Sequence, residues 1–170
     1  IDYALAAGFK EVVLDAVAIN NGEAVEEAAM PAILQLLSRQ QHVIVHTGRK
    51  QSFQLSSQKL GTVLGTIARQ CVVQAGVKRV VIAGGDTSSY AARAMEVDAV
   101  AMIAPLVTGA PICSAWSKNT FINGIEVNFG DAEDGMGEIQ PENLADASTT
   151  QSTAEEVADP PIEISTPVRP

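Results

Sequence analysis

"RVVIAGGDTSSYAARAM", residues 79–95, carries the pattern that decides the fold. A run of β-branched residues leads into two glycines, then an acid and three hydroxyl residues, and then an alanine-rich segment. This order predicts a strand over 79–83, a tight turn at Gly84 and Gly85, and a helix over 88–95. In open α/β sheets, ligands bind beyond the carboxyl ends of strands, where loops meet helix N-termini. The junction is therefore a candidate ligand site.

The chemistry of this junction suits an anion. Its glycines permit a close backbone approach, and the free N–H groups at the start of the helix attract a phosphate. Asp86, Thr87 and Ser88 can each cap the helix, and a capping carboxylate would repel a phosphate unless Mg²⁺ or an ordered water lay between them. The segment fits neither the Walker loop nor the dinucleotide fingerprint. The residues alone leave two readings open: a metal–nucleotide site, or a glycine turn before an ordinary helix.

Strand and helix patterns alternate along the rest of the chain. Strands are predicted at 9–19, 42–47 and 99–106, and helices between the first two strands and at 58–75. Such an alternation is typical of an α/β protein with a mostly parallel sheet and helices on both faces. Pro31 lies inside the first helical pattern and is expected to kink or divide that helix.

Glycines and turn signals mark further boundaries. Gly76 is expected to end the second helix, and Gly61 and Gly65, four residues apart on it, are interpreted as sites of tight packing. "IDYALAAG" resembles the last turns of a helix ending at Gly8, so we expect the chain to begin inside a longer protein. Turn signals at 109–111 and 123–124 predict a short hairpin at a sheet edge.

The charge is divided unevenly. The formal net charge is −9, yet residues 1–130 hold ten acids and ten bases, and residues 131–170 hold ten acids against Arg169 alone. That last segment has no aromatic residue and five of the eight prolines, which predicts an acidic, disordered, low-complexity tail. The bases of the body are scattered and form no run, which argues against nucleic acid as a partner.

Other functional classes find little support. Cys71 and Cys113 lack the spacing of a disulfide framework or a metal site, which favours a reducing, cytoplasmic setting. No apolar run approaches the roughly 18 residues that a membrane span needs, so a membrane is not expected as a partner. No Ser–His–Asp or carboxylate–His pattern indicates a hydrolase, and structural roles are expected for His42 and His46.

Three motifs together resemble a known family. "VVIAGGDTS" at 80–88, "VTGAPIC" at 107–113 and "VNFGD" at 127–131 resemble, in order and spacing, the C-terminal nucleotide-binding domain of the four-carbon acid sugar kinases. These kinases of carbohydrate metabolism transfer phosphate from ATP to acid sugars such as threonate or erythronate. Their N-terminal domain holds the sugar acid, and their C-terminal domain holds the nucleotide.

The resemblance implies a nucleotide-binding domain over residues 1–131, followed by a tail over 132–170. It implies ATP and Mg²⁺ as cofactors and an N-terminal sugar-acid-binding domain as a partner, and it is compatible with a homo-oligomer. It also implies roles for single residues. Around the ATP phosphates it places Gly84, Gly85, Asp86, Thr87 and Ser88; beside the nucleotide it places Gly130; and in the nearby wall it places Gly109 and Pro111. Catalytic and metal-binding residues stay unassigned.

Two departures from the family pattern bear on function. The family's last motif commonly reads Lys-Ser-Gly-Asn-Phe-Gly, whereas this chain has Ile125, Glu126 and Val127 at the first three positions. A cation and a hydroxyl that could contact phosphate are thereby lost. The family's upstream serine-rich turn also precedes the first residue of this sequence. The alternative is therefore a non-catalytic binding or scaffold domain with a degenerate nucleotide site.

Overall fold

A computed structural model describes residues 1–48, 55–107 and 110–130, with the side chains of Val107 and Ala110 left aside. The described residues form five helices and six strands. The helices are α1 (Asp2–Ala6), α2 (Ala16–Asn21), α3 (Val25–Ser38), α4 (Ser57–Ala75) and α5 (Gly85–Ala94). The strands are β1 (Lys10–Val13), β2 (Val43–His46), β3 (Arg79–Val81), β4 (Ala99–Val107), β5 (Ala110–Trp116) and β6 (Glu126–Asn128). The predicted tail lies outside the described residues.

The strands form two sheets. β1 and β2 pair in parallel, and a second sheet has the order β3-β6-β5-β4. In this second sheet β3 and β6 are parallel, whereas β5 is antiparallel to both β6 and β4. The predicted α/β class is confirmed, with parallel and antiparallel strand pairs equally frequent among the described strands. No described helix is long and apolar enough to cross a membrane.

The hairpin prediction needs a correction. β5 and β6 do pair antiparallel, but β6 lies inside the sheet between β3 and β5 and not at an edge. The hairpin at the edge is instead formed by β4 and β5. The reason is that β6 is buried through Val127 and Asn128, and an inner position covers it on both sides.

The segment predicted as a strand over 9–19 also differs. Only its first part is strand β1; the rest turns into helix α2, which begins at Ala16. Asp15 explains the change, because its carboxylate accepts hydrogen bonds from the N–H groups of Val17, at 2.8 Å, and Ala18, at 3.1 Å. A side-chain cap of this kind starts a helix even where β-branched residues follow.

Pro31 does not divide its helix, since α3 is continuous across it. The carbonyl of Glu27 loses a helical hydrogen bond there, but Glu27 and Pro31 are both exposed, so water can take its place. The predicted helix ends are confirmed at two glycines. Gly76 follows α4 with a φ of 67°, and Gly8 lies after α1 with a φ of 94°, both left-handed conformations that favour glycine.

Helix α4 connects two hydrophobic clusters. Val72 belongs to one, with Ala91 of α5, Met95 directly after α5, and residues of β5 and β6. Ile67 and Cys71 belong to the other, which includes residues of α2 and α3. Because its side chains enter both clusters, α4 holds the two parts of the core together.

The predicted packing role of the α4 glycines is confirmed. A Cβ on Gly61 would lie 2.5 Å from the carbonyl oxygen of Thr87, and one on Gly65 would lie 2.4 Å from that of Ala91. Both distances are far below contact distance, so only glycine lets α4 approach α5 this closely. This contact fixes where α5 begins, and hence the geometry of the glycine junction.

Candidate functional site

The junction after β3 turns at Gly84. Its φ of 114° and ψ of 116° lie where residues with a side chain are strained, and the helix begins at the next residue. The Ser88 N–H closes the first helical turn on the Gly84 carbonyl at 2.7 Å. No side chain among the described residues caps α5. The N-terminal turn of α5 is therefore available to an anion.

The prediction that Asp86, Thr87 and Ser88 cap the helix is wrong. Because α5 begins at Gly85, these residues lie within its first turn and not before it. Within the turn predicted at Gly84 and Gly85, only Gly84 has a positive φ, since Gly85 is the first residue of the helix. Gly85 and Asp86 are exposed, so they can contact a ligand.

Ser88 points away from solvent. Its side chain is buried, with 3% exposed, and its hydroxyl donates a hydrogen bond to the Ile82 carbonyl at 2.9 Å. The Ile82 N–H in turn donates to the Asn128 carbonyl at 2.9 Å. Ser88 thus ties the first turn of α5 to the strands below it.

Gly130 lies directly beside the junction. The Gly84 N–H donates to the Gly130 carbonyl at 3.0 Å. The segments that follow the parallel strands β3 and β6 therefore meet at the carboxyl ends of these strands. The buried amide of Asn128 donates to the Pro111 carbonyl at 2.8 Å. This hydrogen bond connects the 107–113 motif to the 127–131 motif. Asn128 was missed as a structural residue, although its place between the apolar residues Val127 and Phe129 is a signal that could have revealed it. Gly109 lies outside the described residues.

A depression of about 270 Å³ runs from the junction along α5 toward the start of β4. Apolar and small residues form most of its surface, and Asp98 also lines it. It is lined by Gly85, Ser88, Ser89, Ala92, Val97, Asp98, Ala99, Val100 and Phe129.

The three positions that depart from the family motif serve the fold. Ile125 and Val127 are 3% and 1% exposed and belong to the hydrophobic core. Between them, Glu126 accepts a hydrogen bond from Arg79 of β3, with 2.5 Å between Nε and Oε2. These three residues therefore provide no cation for a phosphate.

One carboxylate–histidine pair was not predicted from the sequence. His46 Nε2 lies 2.8 Å from Glu11 Oε1, and the Gly48 N–H donates to His46 Nδ1 at 2.8 Å. Since Nδ1 accepts, Nε2 carries the proton and donates to Glu11. Both ring nitrogens of His46 are thus engaged in hydrogen bonds within the fold. The His42 ring stacks on Phe9 at a centroid distance of 5.1 Å.

The described residues hold no other candidate for hydrolytic or metal chemistry. Burial raises the pKa of the Cys71 thiol to about 11, so it is protonated at neutral pH and is a poor nucleophile. No group of three or more His, Cys, Asp or Glu side chains in the described ranges could hold a metal ion. The glycine junction is the best-supported site.

Comparison with known proteins defines the class of this domain. A family model for nucleotide-binding C-terminal domains matches residues 1–133, so the chain belongs to that family. The resemblance to the C-terminal nucleotide-binding domain of the four-carbon acid sugar kinases is confirmed.

Individual relatives agree with this class. A 3-oxo-isoapionate kinase from Paraburkholderia graminis is 31% identical over 147 residues, covering 75% of this chain and 31% of the relative. A domain of unknown function from Bordetella bronchiseptica, solved with bound citrate as a domain-swapped dimer, has the same fold, with a TM-score of 0.63 at 18% identity. The match covers 86% of this chain and 36% of that one. A second crystal form of that protein gives a TM-score of 0.59 at 16% identity. The chain thus spans about a third of the length of these relatives.

Proposed function

We propose that this chain binds ATP with its phosphates at the first turn of α5 and is the nucleotide-binding part of a kinase for a small acid sugar. The observation that carries the proposal is the uncapped N-terminus of α5 beside the Gly84–Gly130 contact. Backbone N–H groups there meet the phosphates, and exposed Gly85 and Asp86 and half-buried Thr87 surround them. Ser88 acts as a positioning residue, because its buried hydroxyl is already bonded to Ile82.

The proposed chemistry is phosphoryl transfer, which depends on placing donor and acceptor in line and on stabilising charge on the transferred group. Among the described residues, Asp86 is the acid in the first turn of α5. A single carboxylate suits Mg²⁺, which keeps several waters and binds mainly through the nucleotide phosphates. Mg²⁺ would supply charge neutralisation there, and Asp86 would orient its water shell.

Family membership and the named kinase relative support the kinase role, and the resemblance of the sequence motifs supplies the substrate class. We infer a four-carbon acid sugar of the threonate or erythronate type, held by an N-terminal domain outside this sequence. Because the proposed acceptor domain lies outside this sequence, we expect no ATP-dependent phosphorylation of threonate or erythronate by the 170-residue chain alone. A cytoplasmic location stays a sequence-based prediction. The dimeric Bordetella relative supports self-association of this chain as well.

Calorimetric titration of the chain with Mg-ATP tests the binding proposal. Gly85→Val should weaken binding about tenfold or more, because its side chain would stand where the phosphates approach the helix. Ser57→Val is the matched control, since Ser57 is the first residue of another helix, α4. Equal affinity of a folded Gly85→Val variant and the unmodified chain would contradict the phosphate role of the junction.

The structural roles of the three altered motif positions, 125–127, support a second candidate function. Ile125 and Val127 are in the core and Glu126 is paired with Arg79, so structural contacts replace the cation of the family motif. A domain that keeps the fold but has lost ATP binding would serve as a scaffold. This alternative would be favoured if a chain joined to its upstream segment gave no heat of binding with millimolar Mg-ATP.

A further inference from the structure

Strand β4 ends the larger sheet among the described strands, and its outer backbone edge is unpaired. The strand is nine residues long, and no residue in Ala99–Val107 is charged. Edge strands of natural proteins are usually protected by charges, by short length or by cover from another element. Pro105, which lacks an N–H, interrupts pairing only near the C-terminal end of β4. The first half of β4 therefore offers an open template for another strand.

The side chains around this edge are unusually exposed. Met102 is 70% exposed, Ile103 57% and Val100 47%. Register with β5 places Val100 and Met102 opposite Ala115 and Cys113, on the face that continues into the hydrophobic core. On the other face, Trp116 of β5 lies opposite Ala99 and is 62% exposed. Both faces beside the edge thus present apolar area to solvent.

Backbone and charge together determine which partner can cover this edge. Free N–H and C=O groups of a strand are satisfied best by another strand, and apolar side chains on both faces require an apolar one. A second β4, related by a two-fold axis, meets both requirements with the same surface. Antiparallel self-pairing also sets the two Asp98 carboxylates, which precede β4, at opposite ends of the contact. Residues 1–130 hold equal numbers of acids and bases, so the net charge of −9 lies in residues 131–170, outside the paired strands.

We propose that two copies of this chain associate through antiparallel pairing of their β4 strands over residues 99–104, forming one continuous sheet across a two-fold axis. The proposal gives a surface to the self-association proposed above and does not depend on nucleotide binding. Trp116, which is the sole tryptophan of the chain, lies one strand from the contact and reports on it.

Sedimentation velocity over a dilution series of the full 170-residue chain tests the proposal. The unmodified chain should show a reversible monomer–dimer equilibrium, and Met102→Lys should raise the dissociation constant about tenfold or more, because it brings unpaired charges into the apolar contact. Val13→Lys is the matched control, since Val13 lies on strand β1 and is 57% exposed. It should leave the equilibrium unchanged. Trp116 emission should shift on dilution of the unmodified chain and not in Met102→Lys.

The possible results separate the two claims. A dimer that neither Met102→Lys nor Val100→Lys weakens would overturn the β4 surface and leave self-association standing. A chain that is monomeric at all concentrations would overturn both. A monomer that dimerises only after removal of residues 141–170 would show that the C-terminal segment prevents the pairing, by covering the edge or by its negative charge, which also contradicts the proposal. Circular dichroism of each variant establishes that it is folded.

Discussion

Ser88 and Ser89 are neighbours on α5 with opposite environments. Ser88 is buried and its hydroxyl donates to the Ile82 carbonyl, whereas Ser89 is exposed. The buried hydrogen bond connects the strand that leads into the junction with the helix that leaves it. The geometry of the proposed phosphate site thus depends on a residue that need not touch the ligand.

Replacing Ser88 by Ala should therefore lower stability. The substitution leaves the buried Ile82 carbonyl without its side-chain donor, which costs about 1–3 kcal/mol of unfolding free energy. Ser89→Ala is the matched control and should stay within about 0.5 kcal/mol. Urea unfolding of the three proteins measures the difference. Equal losses for both variants would mean that the Ser88 hydrogen bond contributes nothing specific.

Glu96 follows α5 and joins three parts of the chain. Its carboxylate accepts a hydrogen bond from the Asn119 amide at 2.8 Å and forms an ion pair with Arg69 of α4. The hydrogen bond from Asn119 is the main reason that the pKa of Glu96 is lowered, and the Arg69 charge also lowers it, while desolvation opposes both. Because the folded pKa lies below the ordinary value of 4.5, the charged form is favoured by folding.

The stabilisation that charged Glu96 provides is fully present when the pH is above the ordinary pKa of 4.5, and it is lost as the pH falls through the lowered pKa of the folded protein. We expect the difference in melting temperature between the unmodified chain and Glu96→Gln to be largest near neutral pH and to shrink below about pH 4.5. Glu27→Gln, which removes an exposed acid outside this network, is the control. Thermal melts between about pH 3 and pH 7 measure both differences. A Glu96→Gln difference that grows on acidification would contradict the assignment.

At the level of elements, the α4–α5 contact positions the site. Gly61 and Gly65 remove the side chains that would hold α5 away from α4, and α5 begins with the junction itself. A change in helix separation would therefore move the first turn of α5 relative to Gly130. The geometry of the proposed site therefore depends on the packing of α4 against α5.

The sign of the stability change caused by Gly65→Ala tests this contact. In an exposed helix, Gly→Ala stabilises by about 1 kcal/mol, because alanine has the higher helix propensity. Here the new Cβ would lie 2.4 Å from the Ala91 carbonyl, and overpacking of this kind costs about 1–3 kcal/mol. We expect a lower melting temperature together with weaker Mg-ATP binding. Stabilisation by Gly65→Ala would mean that the helices are not in tight contact.

Local chemistry explains which elements the sequence predicts well. Gly8, Gly76 and the 79–83 run are signals that act over a few residues, and the structure follows them closely. The strand predicted at 9–19 failed because the β-branched pattern was given more weight than the capping side chain of Asp15. The helix after β3 starts three residues earlier than expected, since Gly84 turns the chain without a side-chain cap.

Sheet order and the site's internal contacts depend on long-range pairing. β6 lies between β3 and β5 because Val127 and Asn128 are buried there, and nothing within residues 126–128 specifies the partners. The glycine motif identified the junction, but the bond from Gly84 to Gly130 joins positions 46 apart in number and depends on that sheet order. For the same reason the Glu11–His46 pair, between adjacent strands, could not be predicted.

For the whole molecule, charge separates the family domain from the C-terminal segment. The family match ends at residue 133, and residues 131–170 hold ten acids against Arg169. A segment without aromatic residues and with a large net charge has little apolar area to bury. We therefore expect the boundary near residue 131 to divide the part that determines stability from a part that does not.

Deletion of residues 141–170 is the direct test of this boundary. The melting temperature should change by no more than about 3 °C, because little apolar surface is lost.

The deletion removes six acids and Arg169, so any Mg-ATP affinity should stay equal or rise slightly at low salt, as repulsion of a polyanion falls. That gain should vanish at high ionic strength, which distinguishes charge from contact. Differential scanning calorimetry and titrations at two salt concentrations measure these effects. A stability loss well over about 2 kcal/mol would mean that the C-terminal segment packs as structure, because only lost burial or lost hydrogen bonds could produce it.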